Sequence, residues 1–356
     1  MNVRRVVASA LLILVALTLV AILTRVRTPA RLSDQDFWKL VTDTSEVNGF
    51  FRSDNLLSNE ISFQRALLPL SRATRTGGAY LGVGPEQNFT YILALKPAIS
   101  FIIDVRRGNL DLQLMYKALF ELSTDRADFV SRLFSRERPA SLGATASAKQ
   151  IFDAVLDVSP TDDYYLKNLS DIRNQLMTVH HLPLPEDDLK GIEYVYRAFY
   201  SMGPLIQYSP VGIAGSSVQP TYAELMQAND GWGNERGFLA SEANFSAIRD
   251  HERRNLIVPV VGNFSGPKAI RAVGRYLRDH KVTVSAFYVS NVEEYLRGDG
   301  TWNIFCGNVA TLPLDRYSTF IRSVRISGPA ALSEDFTSEL KPIMEETRSC
   351  AANPRP

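Results

Sequence analysis

The fold is decided by the stretch Gly77-Gly78-Ala79-Tyr80-Leu81-Gly82-Val83-Gly84-Pro85-Glu86-Gln87-Asn88-Phe89-Thr90-Tyr91-Ile92. A short apolar run ends in Gly-x-Gly, an amphipathic stretch follows, and a second apolar run ends in Asp104. This order is typical of a nucleotide-binding β-α-β unit, because the glycines allow close backbone approach and a helix start supplies free N–H groups. Asp104 would then accept hydrogen bonds from ribose hydroxyls.

One position departs from the dinucleotide fingerprint. The third glycine of G-x-G-x-x-G would fall at position 87, which is Gln87. A pyrophosphate needs that glycine, whereas a nucleoside without phosphates needs only the first close approach. The pattern therefore favours a nucleoside ligand. The alternative is a β-α-β unit whose glycines only permit a tight turn.

The same residues resemble the first motif of class I S-adenosylmethionine-dependent methyltransferases. In that family a Gly-rich turn packs under the methionine part of the cofactor, and an acid at the end of the second strand holds the ribose. The phrases GGAYLGVGPEQN and FIIDVRRGN are also similar to those of a little-characterised bacterial family of methyltransferase-like proteins. The resemblance covers residues 50–130 and 235–325. It implies S-adenosylmethionine as cofactor and Gly82, Gly84 and Asp104 as cofactor-binding positions.

Two residues differ from the methyltransferase motif. Tyr80 stands where the family usually has an acid, and Glu86 stands where it often has a third glycine. Glu86 is a candidate replacement for the missing acid.

Asn263 follows a predicted strand, where many methyltransferases place an Asp or Asn near the target atom, and its alternative role is a local turn. The binding-site prediction therefore comprises Gly82, Gly84, Glu86, Asp104 and Asn263, with no catalytic residue and no metal ligand assigned.

Several charged or polar residues near this motif have more than one interpretation. Arg106 and Arg107 follow Asp104, and they are candidates to bind an anion, to pair with Asp104, or to lie at the surface. Glu60 and Gln64 precede the first strand at a spacing that places both on one helix face. We treat these two as candidate pocket walls.

The rest of the chain alternates strand and helix patterns, which predicts a mostly parallel, doubly wound, Rossmann-like α/β sheet of the class I methyltransferase type. Pro259 weakens the case for a central position of its strand. The predicted strands are 79–83, 100–104, 255–261, 282–289, 302–312 and 319–326. The first two should be adjacent and parallel. The predicted domain spans 33–330, with a helical insertion at about 135–230 and a loosely held polar tail at 331–356.

The amino terminus contains an uncharged apolar run from Val6 to Thr24. Nineteen such residues are long enough to span a bilayer as a helix. Leu23-Thr24-Arg25 is a poor signal-peptide cleavage site, so we predict that residues 1–28 form an uncleaved single-pass membrane anchor. A cleaved signal is the alternative. Arginines flank both ends, so the sequence leaves open the side on which the domain lies.

Bulk properties exclude some functions. The formal net charge of +1 provides no global field that would recruit nucleic acid. Cys306 and Cys350 have no metal-binding spacing, and we predict two free thiols rather than a disulfide. The chain contains neither a P-loop nor a G-x-S-x-G hydrolase elbow. The resemblance implies methyl transfer to an acceptor that the sequence does not identify. The alternative is a non-catalytic, membrane-anchored domain that binds a nucleoside-like ligand or a protein.

Overall fold

The computed structural model describes residues 29–208, 219–325 and 336–351, which form a mixed α/β structure around one six-stranded sheet. The strands are β1 (Ala79–Gly82), β2 (Ile99–Asp104), β3 (Ile257–Val261), β4 (Val284–Ser290), β5 (Thr319–Arg325) and β6 (Phe336–Pro342). The first helices are α1 (Asp34–Thr44), α2 (Leu67–Ala73), α3 (Gln87–Leu95), α4 (Arg107–Leu122) and α5 (Arg126–Leu133). Four more follow: α6 (Ala148–Leu156), α7 (Asp162–Asn174), α8 (Glu186–Met202) and α9 (Tyr222–Gln227). The last are α10 (Glu242–Arg253), α11 (Ala269–Asp279), α12 (Val292–Gly298), α13 (Trp302–Val309), α14 (Ile343–Glu346) and α15 (Arg348–Ala351).

The strand order in the sheet is β3-β2-β1-β4-β5-β6. The first five strands are parallel, and β6 runs antiparallel to β5. The order reverses between β1 and β4. Strands β2 and β3 follow one another on one side of β1, and β4 then pairs with the other side of β1. We call the edge where β1–β5 begin the amino edge, and the edge where they end the carboxyl edge.

The predicted pairing of the first two strands is confirmed, since Ala79 lies beside Ile99 and Gly82 beside Ile102 in parallel register. Every residue of β1, β2 and β3 is buried. Continuous apolar runs of this kind form when both faces of a parallel sheet are covered. Pro259 lies in β3, which is the outer strand, so the missing N–H of proline removes no bond from a central ladder.

Two groups of helices pack around the sheet. Helices α3, α4 and α10 contact one another, and α1, α11 and α13 form a second contacting series. Ser33 caps the start of helix α1, because the Asp36 amide donates to Ser33 Oγ at 3.0 Å. Helix α1 lies alongside β3, from the Leu32–Arg254 backbone bond at the amino edge to the Glu46–Val261 bond at the carboxyl edge.

The predicted helical region is present between β2 and β3, where it contains α6, α7, α8 and α9. Its aromatic residues pack helices together: the Tyr165 ring stacks on Tyr196 at 5.3 Å and lies 4.6 Å from the Tyr200 ring. This is the packing role that aromatic residues usually have in helical layers.

Three predictions differ from the structure. The segment 302–312 is not a strand: it contains α13, whose buried residues Phe305, Cys306 and Val309 repeat at helical spacing. Within the predicted loose tail, residues 336–342 form β6, paired with β5 along its length. The prediction of free thiols is wrong, because Cys306 and Cys350 form a disulfide that fastens α15 to α13.

The apolar run Val6 to Thr24 lies outside the described residues. Among the helices that are described, none combines the length and apolarity needed to cross a membrane. The anchor therefore stays a prediction.

Candidate functional site

The turn after β1 lies at the carboxyl edge, where the strand order reverses and open α/β sheets bind their ligands. Gly84 has a positive φ of 77°, and a Cβ there would meet no atom within 4 Å. The backbone conformation therefore requires glycine at 84. Gly82 is needed for another reason, since a Cβ there would lie 1.9 Å from Asn88 Oδ1.

Asn88 holds this turn in place. Its side-chain nitrogen donates to the carbonyls of Val83, Gly84 and Pro85 at 3.0, 3.3 and 2.7 Å. The Tyr80 hydroxyl donates to Asn88 Oδ1 at 2.8 Å, and both side chains are fully buried. Tyr80 therefore stabilises the turn through its hydrogen bond to Asn88. The sequence reasoning noted Tyr80 only as a departure from a motif and missed Asn88.

Glu86 is fully buried beside the turn. Its Oε1 accepts from the Ser58 amide at 3.1 Å, and its Oε2 has no hydrogen-bond partner. Burial raises the pKa of this carboxyl to about 7, with a further contribution from the charge of Glu60. Burial therefore favours the protonated form of Glu86.

Glu60 joins the two halves of the sheet across the point of reversal. Its Oε1 accepts from the Tyr288 hydroxyl at 2.8 Å and from Ser290 Oγ at 2.6 Å, both on β4. Its Oε2 accepts from Gln87 Nε2 at 3.2 Å on α3. Glu60 is only 5% exposed, so this side chain fills space between the ends of β1 and β4 instead of lining an open pocket.

Asp104 is paired with Arg106. The Arg106 guanidinium donates to Asp104 Oδ1 at 3.0 Å and to Oδ2 at 2.8 Å, and the Arg106 amide donates to Oδ1 at 2.9 Å. Asp104 is 4% exposed and Arg106 is 9% exposed. Of the three roles considered for Arg106, pairing with Asp104 is the one found. Arg107 pairs bidentately with Asp188 on α8.

Residues 45–62, the covering segment, lie over this edge. The Gly49 amide donates to the Val105 carbonyl at 2.8 Å, and Asn48 Oδ1 accepts from the Arg107 amide at the start of α4 at 2.7 Å. Glu46 accepts from the Lys268 and Ala269 amides at 2.8 Å, at the start of α11. At the starts of α4 and α11, backbone N–H groups that could attract an anion are thus engaged by the chain's own side chains.

Asn263 lies in the loop after β3, and its side chain serves a local turn. Its Oδ1 accepts from the Ser265 amide at 2.9 Å and from Ser265 Oγ at 3.0 Å. The Asn263 amide in turn donates to Glu46 at 3.0 Å. The structure therefore brings together Gly82, Gly84 and Glu86, pairs Asp104 separately, and engages Asn263 within its own loop.

Two cavities lie away from this edge. One of about 480 Å³ lies between α2, α3 and the start of α10. The other, of about 200 Å³, lies at the amino edge between the starts of β1 and β4. The expected ligand crevice is instead occupied by Glu60, Arg106 and the covering segment.

A second buried charge cluster ties α1 to the core. His180 Nδ1 lies 2.7 Å from Asp34 Oδ1 on α1, and His180 Nε2 is hydrogen-bonded to Glu121 on α4. Lys117 donates to Glu121 Oε1 at 2.7 Å. Burial opposes the charged form of both groups, but the hydrogen bond that His180 makes to the Glu121 carboxylate contributes to a raised His180 pKa. The hydrogen bonds and charges of His180 and Lys117 lower the pKa of Glu121 to about 2. The sequence showed only two adjacent histidines, without the partners that this fold supplies.

Fold and site together define an α/β domain whose carboxyl-edge crevice is filled by its own polar side chains. The model of the family described as Domain of unknown function (DUF7790) matches residues 57–150 and 143–343, which include all six strands. The chain belongs to this family. No curated protein matches the sequence significantly.

Proposed function

We propose that this chain is a non-catalytic domain with class I methyltransferase-like architecture, held at a membrane surface by residues 1–28, where it serves as a binding or scaffolding module for a protein. The observation that carries the proposal is the buried Asp104–Arg106 pair. Asp104 is the position that the methyltransferase resemblance assigns to the ribose, and both of its oxygens are engaged.

The strand order supports the architectural part of the proposal. The series β3-β2-β1-β4-β5 is the order of doubly wound sheets that bind nucleotides where the order reverses. An added antiparallel edge strand such as β6 is common on otherwise parallel sheets. Architecture of this kind hosts many activities, so the function has to be argued from the site.

The chemistry of the pair argues against cofactor binding. A guanidinium gives a carboxylate a full opposite charge and two directed hydrogen bonds, whereas a ribose diol offers only the hydrogen bonds. Displacing Arg106 would also disturb its contact with the Ser53 carbonyl at 3.4 Å, which belongs to the covering segment. A nucleoside would therefore have to replace a stronger partner and move part of the cover.

The disulfide supports a location outside the cytosol. Disulfides persist in oxidising compartments and are rare in the cytosol of mesophiles. Together with the predicted anchor, the Cys306–Cys350 bond favours a domain on the outer side of the membrane. That side is remote from the cytosolic pool from which an S-adenosylmethionine-dependent enzyme takes its cofactor.

Calorimetry of the detergent-solubilised full chain with S-adenosylmethionine and S-adenosylhomocysteine tests the proposal. We expect no binding with a Kd below about 1 mM, which corresponds to about −4 kcal/mol. Tighter binding that Asp104→Ala weakens at least about tenfold, in a variant that stays folded, would contradict the claim that the Asp104–Arg106 pair excludes the cofactor. Ser265→Ala, in the loop after β3, is the matched control and should change nothing.

Methyl transfer remains the second candidate, because one observation favours it. Gly84 is buried, but a Cβ there would meet no atom of the described residues within 4 Å. A close backbone approach by a ligand is therefore sterically free at this single point. Cofactor binding abolished by Gly84→Val would favour this candidate over the first.

A further inference from the structure

The chain reaches the sheet at the amino edge. The Leu32 amide donates to the Arg254 carbonyl at 3.0 Å, and Asn255 Nδ2 donates to the Leu32 carbonyl at 3.0 Å, just before β3. Only eight residue steps separate Leu32 from Thr24, the end of the apolar run. Eight steps span at most about 28 Å even when fully extended. A bilayer that holds the apolar run therefore lies close to this edge.

Basic side chains collect at the same edge. We count each connection that leads into β1–β5 from the last turn of the preceding helix. Together these connections contain eight basic and four acidic residues. The basic residues are Arg72, Arg75, Lys96, Arg253, Arg254, Arg278, Lys281 and Arg316. One of the acids, Glu252, is buried, and burial raises its pKa to about 8, so it adds little negative charge at neutral pH. The whole chain has a net charge of only +1, so these connections carry an excess of positive charge.

Most of these basic groups face solvent. All except Arg254, which is partly exposed, belong to exposed residues. Within the described parts of the chain, Arg72, Lys96 and Lys281 have no side-chain hydrogen bond or ion pair, so their charges are available to a partner. The cations of the carboxyl edge differ, since Arg106 and Arg107 are paired with buried acids.

The cavity of about 200 Å³ lies within this edge. The guanidinium of Arg75 lies 4.0 Å from the centre of the Tyr317 ring, and that of Arg316 lies 4.8 Å from it. Gly77 and Gly78 line the cavity together with Asp315, which lies 3.9 Å from Arg75. Arg75 and Arg316 lie around the amphipathic Tyr317 ring and form a small recess. A headgroup phosphate bound there can replace part of the contact between Arg75 and Asp315.

We propose that the amino edge is a headgroup-binding surface, which lies flat on the anionic lipids of the bilayer that anchors the chain. The inference rests on the anchor of the proposed function and adds the orientation and the lipid class. A leaflet that contains anionic lipids attracts basic residues within about one Debye length of its surface, whichever side of the membrane it faces. The carboxyl edge then faces away from the membrane, toward soluble partners.

The test uses the full chain in lipid nanodiscs. A fluorophore is attached at Thr76→Cys on the amino edge or at Phe50→Cys on the covering segment, and the native cysteines stay bridged. Headgroup-labelled quencher lipid reports proximity in phosphatidylcholine alone or mixed with phosphatidylglycerol. We expect quenching at 76 to exceed that at 50 by at least about fivefold in the anionic discs, and this ratio to collapse at 1 M salt, where the Debye length is about 3 Å.

Charge reversal provides the matched comparison. Arg72→Glu, Lys96→Glu and Lys281→Glu together should remove the difference between the two positions. Lys149→Glu, Lys167→Glu and Lys190→Glu change the net charge equally on the helical region and should leave it intact. Equal effects of the two triple variants would overturn the proposal, as would equal quenching at 76 and 50.

Tighter binding to a DNA duplex than to anionic discs would assign the edge to nucleic acid instead. Failure to incorporate into nanodiscs would contradict the anchor itself, and this inference with it.

Discussion

The two edges of the sheet are built from similar connections, yet they differ in how their charges are used. At the carboxyl edge, Asp104, Glu60 and Glu46 are engaged by donors from the same chain. At the amino edge, Arg72, Lys96 and Lys281 extend into solvent. Removal of one partner from a buried charge pair is strongly destabilising, whereas an exposed charge contributes little to stability and is available for recognition. The carboxyl edge thus uses its charges within the fold, and the amino edge is the surface that we propose for recognition.

The largest expected effect is at Asp104. Asp104→Ala leaves the buried Arg106 guanidinium without its partner, which should lower the free energy of unfolding by about 3–5 kcal/mol. Urea denaturation of the full chain measures this. Arg75→Ala at the amino edge is the matched control and should cost below about 1 kcal/mol, because its contact with Asp315 is exposed. Similar losses of unfolding free energy in the two variants would show that the two edges do not differ in how their charges stabilise the fold.

Glu60→Ala should have the next largest effect. The substitution leaves the donors of Tyr288, Ser290 and Gln87 without their acceptor, at a cost of about 1–3 kcal/mol in unfolding free energy. Glu294→Ala is the control on the same edge, since its contact with Arg325 at 3.8 Å is exposed. A loss at Glu60 no greater than at Glu294 would mean that Glu60 does not hold the two halves of the sheet together.

Stability should fall as pH rises from 5 to 8. Burial raises the pKa of Glu86 to about 7 and that of Asp111 to about 8. An acid with a raised folded pKa binds more protons folded than unfolded, so its stabilisation is present at low pH and is lost as pH rises. Each group contributes a slope of about 1.4 kcal/mol per pH unit between its two pKa values.

Thermal unfolding followed across this pH range measures the slope. Glu86→Gln should flatten the profile between about pH 4.5 and 7, since it removes one of the titrating groups. Glu345→Gln, at an exposed position on α14, should leave the profile unchanged. A profile that rises with pH would mean that Glu86 and Asp111 are ionised more readily in the fold than their burial implies.

The smallest expected effect on stability is that of the triple reversal at Arg72, Lys96 and Lys281. Because these side chains have no partners in the described structure, unfolding free energy should change by less than about 1 kcal/mol in total. Denaturation in detergent measures this alongside the nanodisc experiment. A large loss of unfolding free energy would show that these charges stabilise the fold. It would then count against a role of the amino edge in recognition.

The sequence predicted what depends on local pattern. The apolar runs of β1 and β2 gave correct elements, and the helix-length link between them gave their parallel pairing. The pairing of Asp104 with Arg106 was one of the alternatives, because the two residues are only two apart.

The sequence did not predict contacts between distant segments. Glu46 caps α11 across more than 220 residues, and Cys306 meets Cys350 only because α13 and α15 pack together. The apolar run at 302–309 was assigned to the wrong element because a short apolar run fits a buried strand and a buried helix equally well. The filling of the crevice follows from these long-range contacts, so no motif near Gly82 could have indicated it.

Helix α1 gives the fold a mechanical property. Its eleven residues extend about 16 Å alongside β3, from the membrane-proximal edge to the covering segment. A pull on the chain at residue 29 would load the Leu32–Arg254 bond first and then the contacts of Asp34 with His180 and Asn255. If those contacts yielded, the force would reach Glu46 and withdraw it from the start of α11. If residues 1–28 anchor the chain as proposed, the covering segment is mechanically in series with that anchor, and tension on it would pull Glu46 away from α11.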